Sequence, residues 1–333
     1  MASLRTEITE LITGIGMLGE DLETQMSAAL PGACDVPQQV WDDVQGAWQY
    51  RQHLQEFYAA HANGAAFLKS ADALRGRVPH VIEWKGGHKA PEANAVPVDL
   101  RVDHVYLVSC KYASHILLNA SPHVLFAGEA SGGDWYLDVA TEAYRSLYSD
   151  VRRELGLRDL PPYADDLTPQ HRLILKQALG SGGHWPDSLQ EPYLNFSVEA
   201  SRLSAAAWKS TLNSKLKREK ALWGLLRIGS APYFILGSSS RGSMRLRVTT
   251  PWDWRRRFTF KSFEVWGEEA GQPRVAWSAE VLDQALSQVS TVEGHVEVRW
   301  SHGRFARPPE AKVYLDTPHE RVPGYVPLQS PSA

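Results

Sequence analysis

Cysteine is scarce in this chain. Two occur in 333 residues, Cys34 and Cys110, too few for a disulfide framework or, by themselves, a zinc knuckle. The scattered histidines show no H-x(3)-H pair with a third ligand, so a structural zinc site is not expected. No apolar run approaches the roughly 18 residues that a membrane span requires. The opening MASLRTEITELITG carries acids early and reads as a helix, not as a signal peptide. An excess of one charge is missing as well: 35 Lys and Arg stand against 38 Asp and Glu, a formal net charge of -3. Any nucleic-acid binding must therefore come from a local patch and not from bulk charge. Internal repeats and low-complexity blocks are absent. The loop GSGGHW at 180–185 lacks the Lys-Ser/Thr of a nucleotide-binding loop, and no G-x-S-x-G elbow surrounds Ser109. These absences set aside a nucleotide-binding loop, a serine hydrolase and a membrane anchor, and leave a soluble protein expected in a reducing compartment, the cytoplasm.

Apolar and aromatic mass is plentiful. Hydrophobic residues make up 43% and charged residues 22%, with 12 Trp, 12 Tyr and 9 Phe, enough to bury a real core. The length favours two domains. Leu4, Ile8, Leu11 and Ile15 recur at helical spacing in residues 3–30, and Pro31-Gly32 stops the segment. Val40, Trp41, Val44, Trp48, Leu54 and Phe57 continue a helical stripe over roughly 36–75, with a break expected at Asn63-Gly64. The texture then turns to strands at 80–85, 96–102 and 105–112, with a turn at Asp103-His104, a three-strand meander following a helix. Residues 113–126 read as helix or loop, and 130–225 as mostly helical. Strands are expected again from about 226, at 233–236, 244–248, 258–265, 296–300 and 313–315. The resulting fold class is α/β: a helical segment at 1–34, an α/β core at 35–130, a helical connection at 131–225 and a β-rich C-terminal domain at 226–323. A frayed tail follows at 324–333.

The segment VPVDLRVDHVYLVSCKY, residues 96–112, carries the most chemistry. Ser109 and Lys111 lie two apart on one strand and so share a face. A hairpin brings Asp99 beside them, giving a carboxylate, a hydroxyl and an ammonium around one small space. Metal-assisted phosphodiester hydrolysis needs such a set. A carboxylate holds Mg²⁺, a hard cation that keeps several waters, while a lysine positions the attacking water or neutralises developing charge. The plain alternative is that Asp99 and Asp103 flank a turn and Lys111 is a solvated strand-end lysine. Asp103 also lies within reach of Ser109 and competes with Asp99 as the metal ligand. A third arrangement takes Glu83-x-Lys85 as the motif, with Asp72 upstream.

The helix, the WKGG strand (Trp84 to Gly87), PVDL and VSCKYAS resemble the core of PD-(D/E)xK nucleases, the restriction-endonuclease-like fold of a helix and a mixed sheet. In particular they resemble the branch in which serine replaces the acid before x-K. The resemblance covers roughly residues 40–126. It implies Asp99 as the metal-binding aspartate, Ser109 at the variable acid position and Lys111 as the catalytic lysine. Such nucleases often carry a glutamate on the preceding helix, whereas the matching place here holds Leu68. Glu83 is then the first candidate for the second acid, with Glu56 and Asp72 behind it. The resemblance further implies Mg²⁺, or Mn²⁺ in its place, DNA as substrate with duplex preferred, and a role in restriction or anti-phage defence. It admits a homodimer or a partner protein of a defence system.

Around this site, Lys85, His88, Lys89 and Tyr112 are candidate nucleic-acid contacts. Residues 241–261 add a second patch, with seven Arg or Lys against one Asp. Alternation along MRLRV places Arg245 and Arg247 on one face, and Arg255, Arg256 and Arg257 follow among Trp252, Trp254, Phe258 and Phe260. A cationic face with aromatic neighbours suits phosphates and exposed bases; a solvated face over a Trp-rich core is the alternative. The leading expectation is a Mg²⁺-dependent endonuclease. A nuclease-like binding module without activity and a protein-interaction scaffold stand behind it.

Overall fold

The structure is a computed structural model that describes residues 3–86, 98–112, 114–129, 133–180, 184–229, 231–239 and 242–329. Two compact units emerge, and neither is continuous in sequence. The first comprises residues 1–115, 227–258 and 318–333, and the second 116–226 and 259–317.

The first unit opens with α1 (Leu4–Ile15), α2 (Leu22–Ser27), β1 (Cys34–Asp35), α3 (Gln38–Gln49) and α4 (Leu54–Lys69). The strands β2 (Ile82–Trp84), β3 (Leu100–Val102) and β4 (Tyr106–Tyr112) follow. The chain then enters the second unit with β5 (Ile116–Ala120), α5 (Trp135–Val139), α6 (Thr141–Glu154), α7 (Pro169–Leu179), α8 (Asp187–Thr211) and α9 (Lys215–Leu225). It returns to the first with β6 (Tyr233–Ser239), β7 (Gly242–Val248) and α10 (Pro251–Arg257). The second unit resumes with β8 (Phe258–Glu269), β9 (Pro273–Asp283), β10 (Gln288–Arg299) and β11 (Glu310–Leu315), and β12 (Tyr325–Pro327) closes the first.

The first unit is built on a seven-stranded mixed sheet in the order β1-β2-β3-β4-β6-β7-β12. The expected meander is its centre: β2, β3 and β4 pair antiparallel, and Asp103 and His104 make the turn with positive φ. Beyond the meander, β6 adds parallel to β4, and β7 and β12 follow antiparallel. One face is covered by helices. Ile8, Leu11, Ile12 and Ile15 of α1, Trp41 and Val44 of α3, and Phe57 and Phe67 of α4 are buried with Ile82, Trp84, Leu100, Val108 and Phe234 of the sheet. The second unit carries the five-stranded antiparallel sheet β5-β11-β10-β9-β8.

Several expectations need correction. The β-rich stretch at 226–323 is not one domain, because β6, β7 and α10 belong to the first unit, and β12 of that unit forms within the expected frayed tail. Residues 116–120 form β5 and not helix or loop, since β11 offers them an antiparallel partner. Residues 251–257 form a helix within the expected strand region, started by the Thr250 cap and Pro251. The first segment is two helices, because a tight turn and left-handed Gly19 end α1 and Asp21 caps α2. Finally, α4 runs through Asn63-Gly64 unbroken. Gly64 serves a close helix crossing: a Cβ there would sit 2.0 Å from the carbonyl oxygen of Thr13, and one on Gly16 would sit 2.3 Å from that of His61. The backbones of α1 and α4 touch only because both positions lack a side chain.

Candidate active site

The register places Leu100 opposite Val108, so Asp99, one residue before β3, stands beside Ser109. The Asp99 Oδ2 accepts hydrogen bonds from the Ser109 Oγ at 3.1 Å and from the Cys110 amide at 2.5 Å. Alternation along β4 then divides the chemistry between two faces. Val108, Cys110 and Tyr112 pack towards the helix-covered core, while Ser109 and Lys111 share the opposite face. Lys111 pairs in register with Gly237 of β6. A Cβ on Gly237 would fall 1.7 Å from the Lys111 carbonyl oxygen, so the backbone beside the lysine tolerates no side chain.

A second carboxylate, which the local spacing could not show, lies within electrostatic range of Asp99 and Lys111. Glu10 of α1 is buried, and its Oε2 accepts a hydrogen bond of 2.7 Å from the Trp84 indole. Burial pushes the Glu10 carboxyl up to about 7, and the charge of Asp99 adds to the rise. The Trp84 hydrogen bond and the Lys111 ammonium oppose it. Asp99 and Lys111 therefore both act electrostatically on Glu10. Cys110 reports the same neighbourhood: desolvation, then the charges of Asp99 and Glu10, pushes its thiol well above its ordinary value. A neutral thiol in such a place is an inert filler and not a nucleophile.

The other acids weighed for the site are engaged elsewhere. Both oxygens of the buried Glu83 are taken by Arg101, with Lys85 at 3.1 Å and His104 at 3.0 Å. The Arg101 hydrogen bonds above all hold its carboxyl down to about 2. Glu83 thus neutralises Arg101 and Lys85 and meets the His104 ring, and Lys85 is spent on it instead of on a substrate. The Asp103 Oδ1 accepts from the amides of His80 and Val81, and Arg77 lies 2.7 Å from its other oxygen, a brace for the turn. Glu56 pairs with Arg5 at 2.6 Å. Asp72 faces Arg247 at 3.3 Å and accepts from the Gln329 amide.

Three expected nucleic-acid contacts also turn inward. The Tyr112 hydroxyl lies 2.9 Å from the Thr13 Oγ1 and accepts from the Asn63 Nδ2 at 3.4 Å. Arg245 donates to the Asn63 Oδ1 at 2.8 Å, and Arg247 is the partner of Asp72. The expected alternation of β7 holds, with Met244, Leu246 and Val248 buried, but its arginines serve the interior of their own unit. Asn63 is a buried hub where the sequence suggested only a break; its Nδ2 also donates to the Gly237 carbonyl at 2.9 Å. Arg255, Arg256 and Arg257 are exposed on α10. His88 and Lys89 lie outside the described residues, as does the start of the strand expected at 96.

A metal fits the donor chemistry. Among the described residues no group of three or more His, Cys, Asp or Glu side chains is placed to hold one, but magnesium needs only one or two carboxylates and keeps its waters. Asp99 and Glu10 are the two carboxylates that would supply them, and the charge of Asp99 raises the Glu10 carboxyl, a cost that a bound divalent cation would offset. Among the described residues no helix is long and apolar enough to cross a membrane. Comparison with protein-family models, with curated proteins and with solved structures finds no match to this chain.

Proposed function

We propose that this chain is a metal-dependent nuclease that hydrolyses phosphodiester bonds in DNA, with Glu10, Asp99 and Lys111 as its working residues. The observations that carry the reading are one contact and one shared field: Asp99 accepts from Ser109, two residues before Lys111, and the charges of Asp99 and Lys111 both act on the buried Glu10. The arrangement of a glutamate helix, an Asp-bearing hairpin and an S-x-K strand in a mixed sheet supports a restriction-endonuclease-like core. Glu10 replaces Glu83 as the second acid, because Glu83 has no uncompensated charge to offer.

Each residue then has a distinct task. Glu10 and Asp99 would hold Mg²⁺ or Mn²⁺, which when bound polarises the phosphate and acidifies a coordinated water. Ser109 cannot supply a carboxylate; its hydroxyl proton goes to Asp99 and holds that side chain in one orientation. Lys111 would orient a water or neutralise charge developing on the phosphate. A role in restriction or defence, in the cytoplasm, extends the same reading.

The test is nicking of supercoiled plasmid DNA with Mg²⁺ by the parent and by Glu10→Gln, Asp99→Ala, Lys111→Ala and Glu83→Gln. The parent should cleave, the first three variants should lose at least a hundredfold, and Glu83→Gln should retain most of the rate. Equal nicking by all five proteins would remove the site assignment. Ser109 at the acid position favours a second reading, a nuclease-like module that binds DNA without cutting it. Binding by the parent with no cleavage in Mg²⁺ or Mn²⁺ would select that reading.

A further inference from the structure

The short helix α10 shows an arrangement that the catalytic site does not use. Thr250 caps it, its Oγ1 accepting from the Asp253 amide at 3.3 Å, and Pro251 occupies the first turn. Trp254 anchors it: the ring is fully buried, and its indole nitrogen donates to the Pro323 carbonyl at 3.0 Å. Gly324 makes room for this ring, since a Cβ there would lie 2.7 Å from it. The helix is thereby fixed to the segment leading into β12.

What this anchoring holds out is unusual. Trp252 is 75% exposed, although an indole is among the largest apolar surfaces a side chain can bury. Arg255 and Arg256 follow it at i+3 and i+4, on the same helix face, and both are exposed, as is Arg257. The Arg257 guanidinium lies 5.2 Å from the centre of the Phe258 ring. The helix has a single acid, Asp253, and it points back to the cap, where its Oδ2 meets the Thr250 hydroxyl at 3.1 Å. One face thus carries a wide π surface beside two guanidinium groups in a chain whose overall charge is slightly negative.

We propose that α10 is a stacking clamp for a single-stranded segment of nucleic acid, with one unpaired base on Trp252 and the flanking phosphates on Arg255 and Arg256. Charge complementarity selects a polyanion. The exposed indole selects its chemistry further, because a base inside a duplex has both faces covered by its neighbours and only an unpaired base can offer one. Arginine matches phosphate oxygens in a two-pronged geometry that lysine lacks. The inference deepens the nuclease reading and rests on it only for the choice of a nucleic acid as the polymer. It narrows the substrate to one with an unpaired stretch, where the motif alone suggested a duplex.

The experiment measures binding of the full chain, without metal and in EDTA, to fluorescein-labelled dT15 and to a blunt duplex of equal length by anisotropy. The parent should bind dT15. Trp252→Ala should weaken that binding by about 5- to 150-fold, the range set by base–aromatic stacking, Trp252→Phe should recover part of it, and the duplex should change less than about twofold. Because Trp252 is mostly exposed, its removal leaves the fold intact. The double variant Arg255→Ala, Arg256→Ala should lower the slope of log K against log salt by about 1.4, roughly 0.7 for each phosphate of a single strand that is no longer neutralised. No binding of dT15 by the parent, an unchanged dT15 affinity in Trp252→Ala, or an equal loss for strand and duplex would each overturn the clamp. Trp252-dependent binding to phosphatidylserine vesicles with none to dT15 would assign the face to a membrane instead. Cleavage is scored separately on plasmid, so a parent that binds through Trp252 but never cuts removes the nuclease reading and leaves the clamp standing.

Discussion

Two substitutions of the same kind, Gly46→Ala and Gly64→Ala, should move stability in opposite directions. Both glycines lie inside helices, α3 and α4, where alanine is favoured over glycine by roughly 0.5–1 kcal/mol. A Cβ on Gly46 meets nothing within 4 Å, so that gain should appear undiminished. A Cβ on Gly64 would lie 2.0 Å from the Thr13 carbonyl oxygen, about 1.4 Å short of an ordinary 3.4 Å contact, and 2.9 Å from the Gly16 backbone. Both obstacles are main chain, so no rotamer change relieves them and α1 must move as a body. Overpacking costs roughly 1–3 kcal/mol; a clash with main chain belongs at the upper end, and subtracting the helix gain leaves a net loss of about 2 kcal/mol. With a denaturant slope of roughly 2 kcal/mol per molar urea, Gly64→Ala should unfold about 1 M earlier than the parent, and Gly46→Ala a few tenths molar later. Hydrogen exchange should place the loss on the amides of α1 and α4. Thr13 is one turn from Glu10, so under the proposed function cleavage should fall along with stability. A Gly64→Ala midpoint at or above that of the parent would refute the close-crossing argument.

The remaining expectations concern the charged and polar interior of the first unit. The Glu10 carboxyl is raised from 4.5 to about 7 in the folded protein, so folding favours its protonated form; the contribution is complete below pH 4.5 and disappears as pH rises through 7. Glu10→Gln, which imitates the protonated acid, should therefore be more stable than the parent at pH 8, by up to about 3 kcal/mol, and equal to it near pH 4; urea midpoints with the same pH slope in both proteins would contradict this. Glu83 has the opposite sign, since Arg101 holds its carboxyl down to about 2. Its contribution is present above pH 4.5 and fades as pH falls towards 2, so Glu83→Gln should flatten the acid limb of a stability profile followed by circular dichroism. Asn63→Ala leaves the buried Gly237 carbonyl without the amide that now donates to it, a loss of roughly 1–3 kcal/mol. Thermal unfolding of Asn63→Ala, Tyr112→Phe and the double variant should show less than additive losses, because the two side chains share a hydrogen bond.

Local pattern was most informative where the structure itself is local. The period-two runs around Asp103-His104 describe a hairpin whose pairing partners are a few residues apart, and β2, β3 and β4 stand where those runs lie. Alternation along MRLRV likewise separates buried Met244, Leu246 and Val248 from Arg245 and Arg247. What alternation lacks is the identity of the neighbour. Nothing near position 245 announces that Asn63, far upstream, will accept from that arginine, so a structural pair and a phosphate clamp read alike. Glycine misled for a related reason: Asn63-Gly64 is turn-like in isolation, yet its missing side chain is used for a helix crossing that only tertiary packing creates. Segment boundaries failed where the chain leaves one unit and returns, because β6 joins β4 in parallel across an intervening run of more than a hundred residues.

The second acid is the instructive case. A motif of spacing sees what a strand or a hairpin brings together, and so it offered Glu83, two strands from Lys111 and close in sequence. Yet a carboxylate can serve a cation only if its charge is not already compensated. In β3, Arg101 sits opposite Glu83 in register, so the pairing that brings Glu83 near also neutralises it. Among the described residues Glu10 has no such ion pair; it has an indole donor, and the opposed charges of Asp99 and Lys111 act on it. The signal for it is burial, which the structure shows and the spacing does not. Residues 8 to 15 of α1 are buried on every side, and an acid inside a helix with no wet face must either find a cation or carry a proton. The useful question for a sequence is therefore which acid cannot be solvated, as well as which acid stands at the motif's distance. Here the two questions choose different residues, and the proposed function takes the buried one.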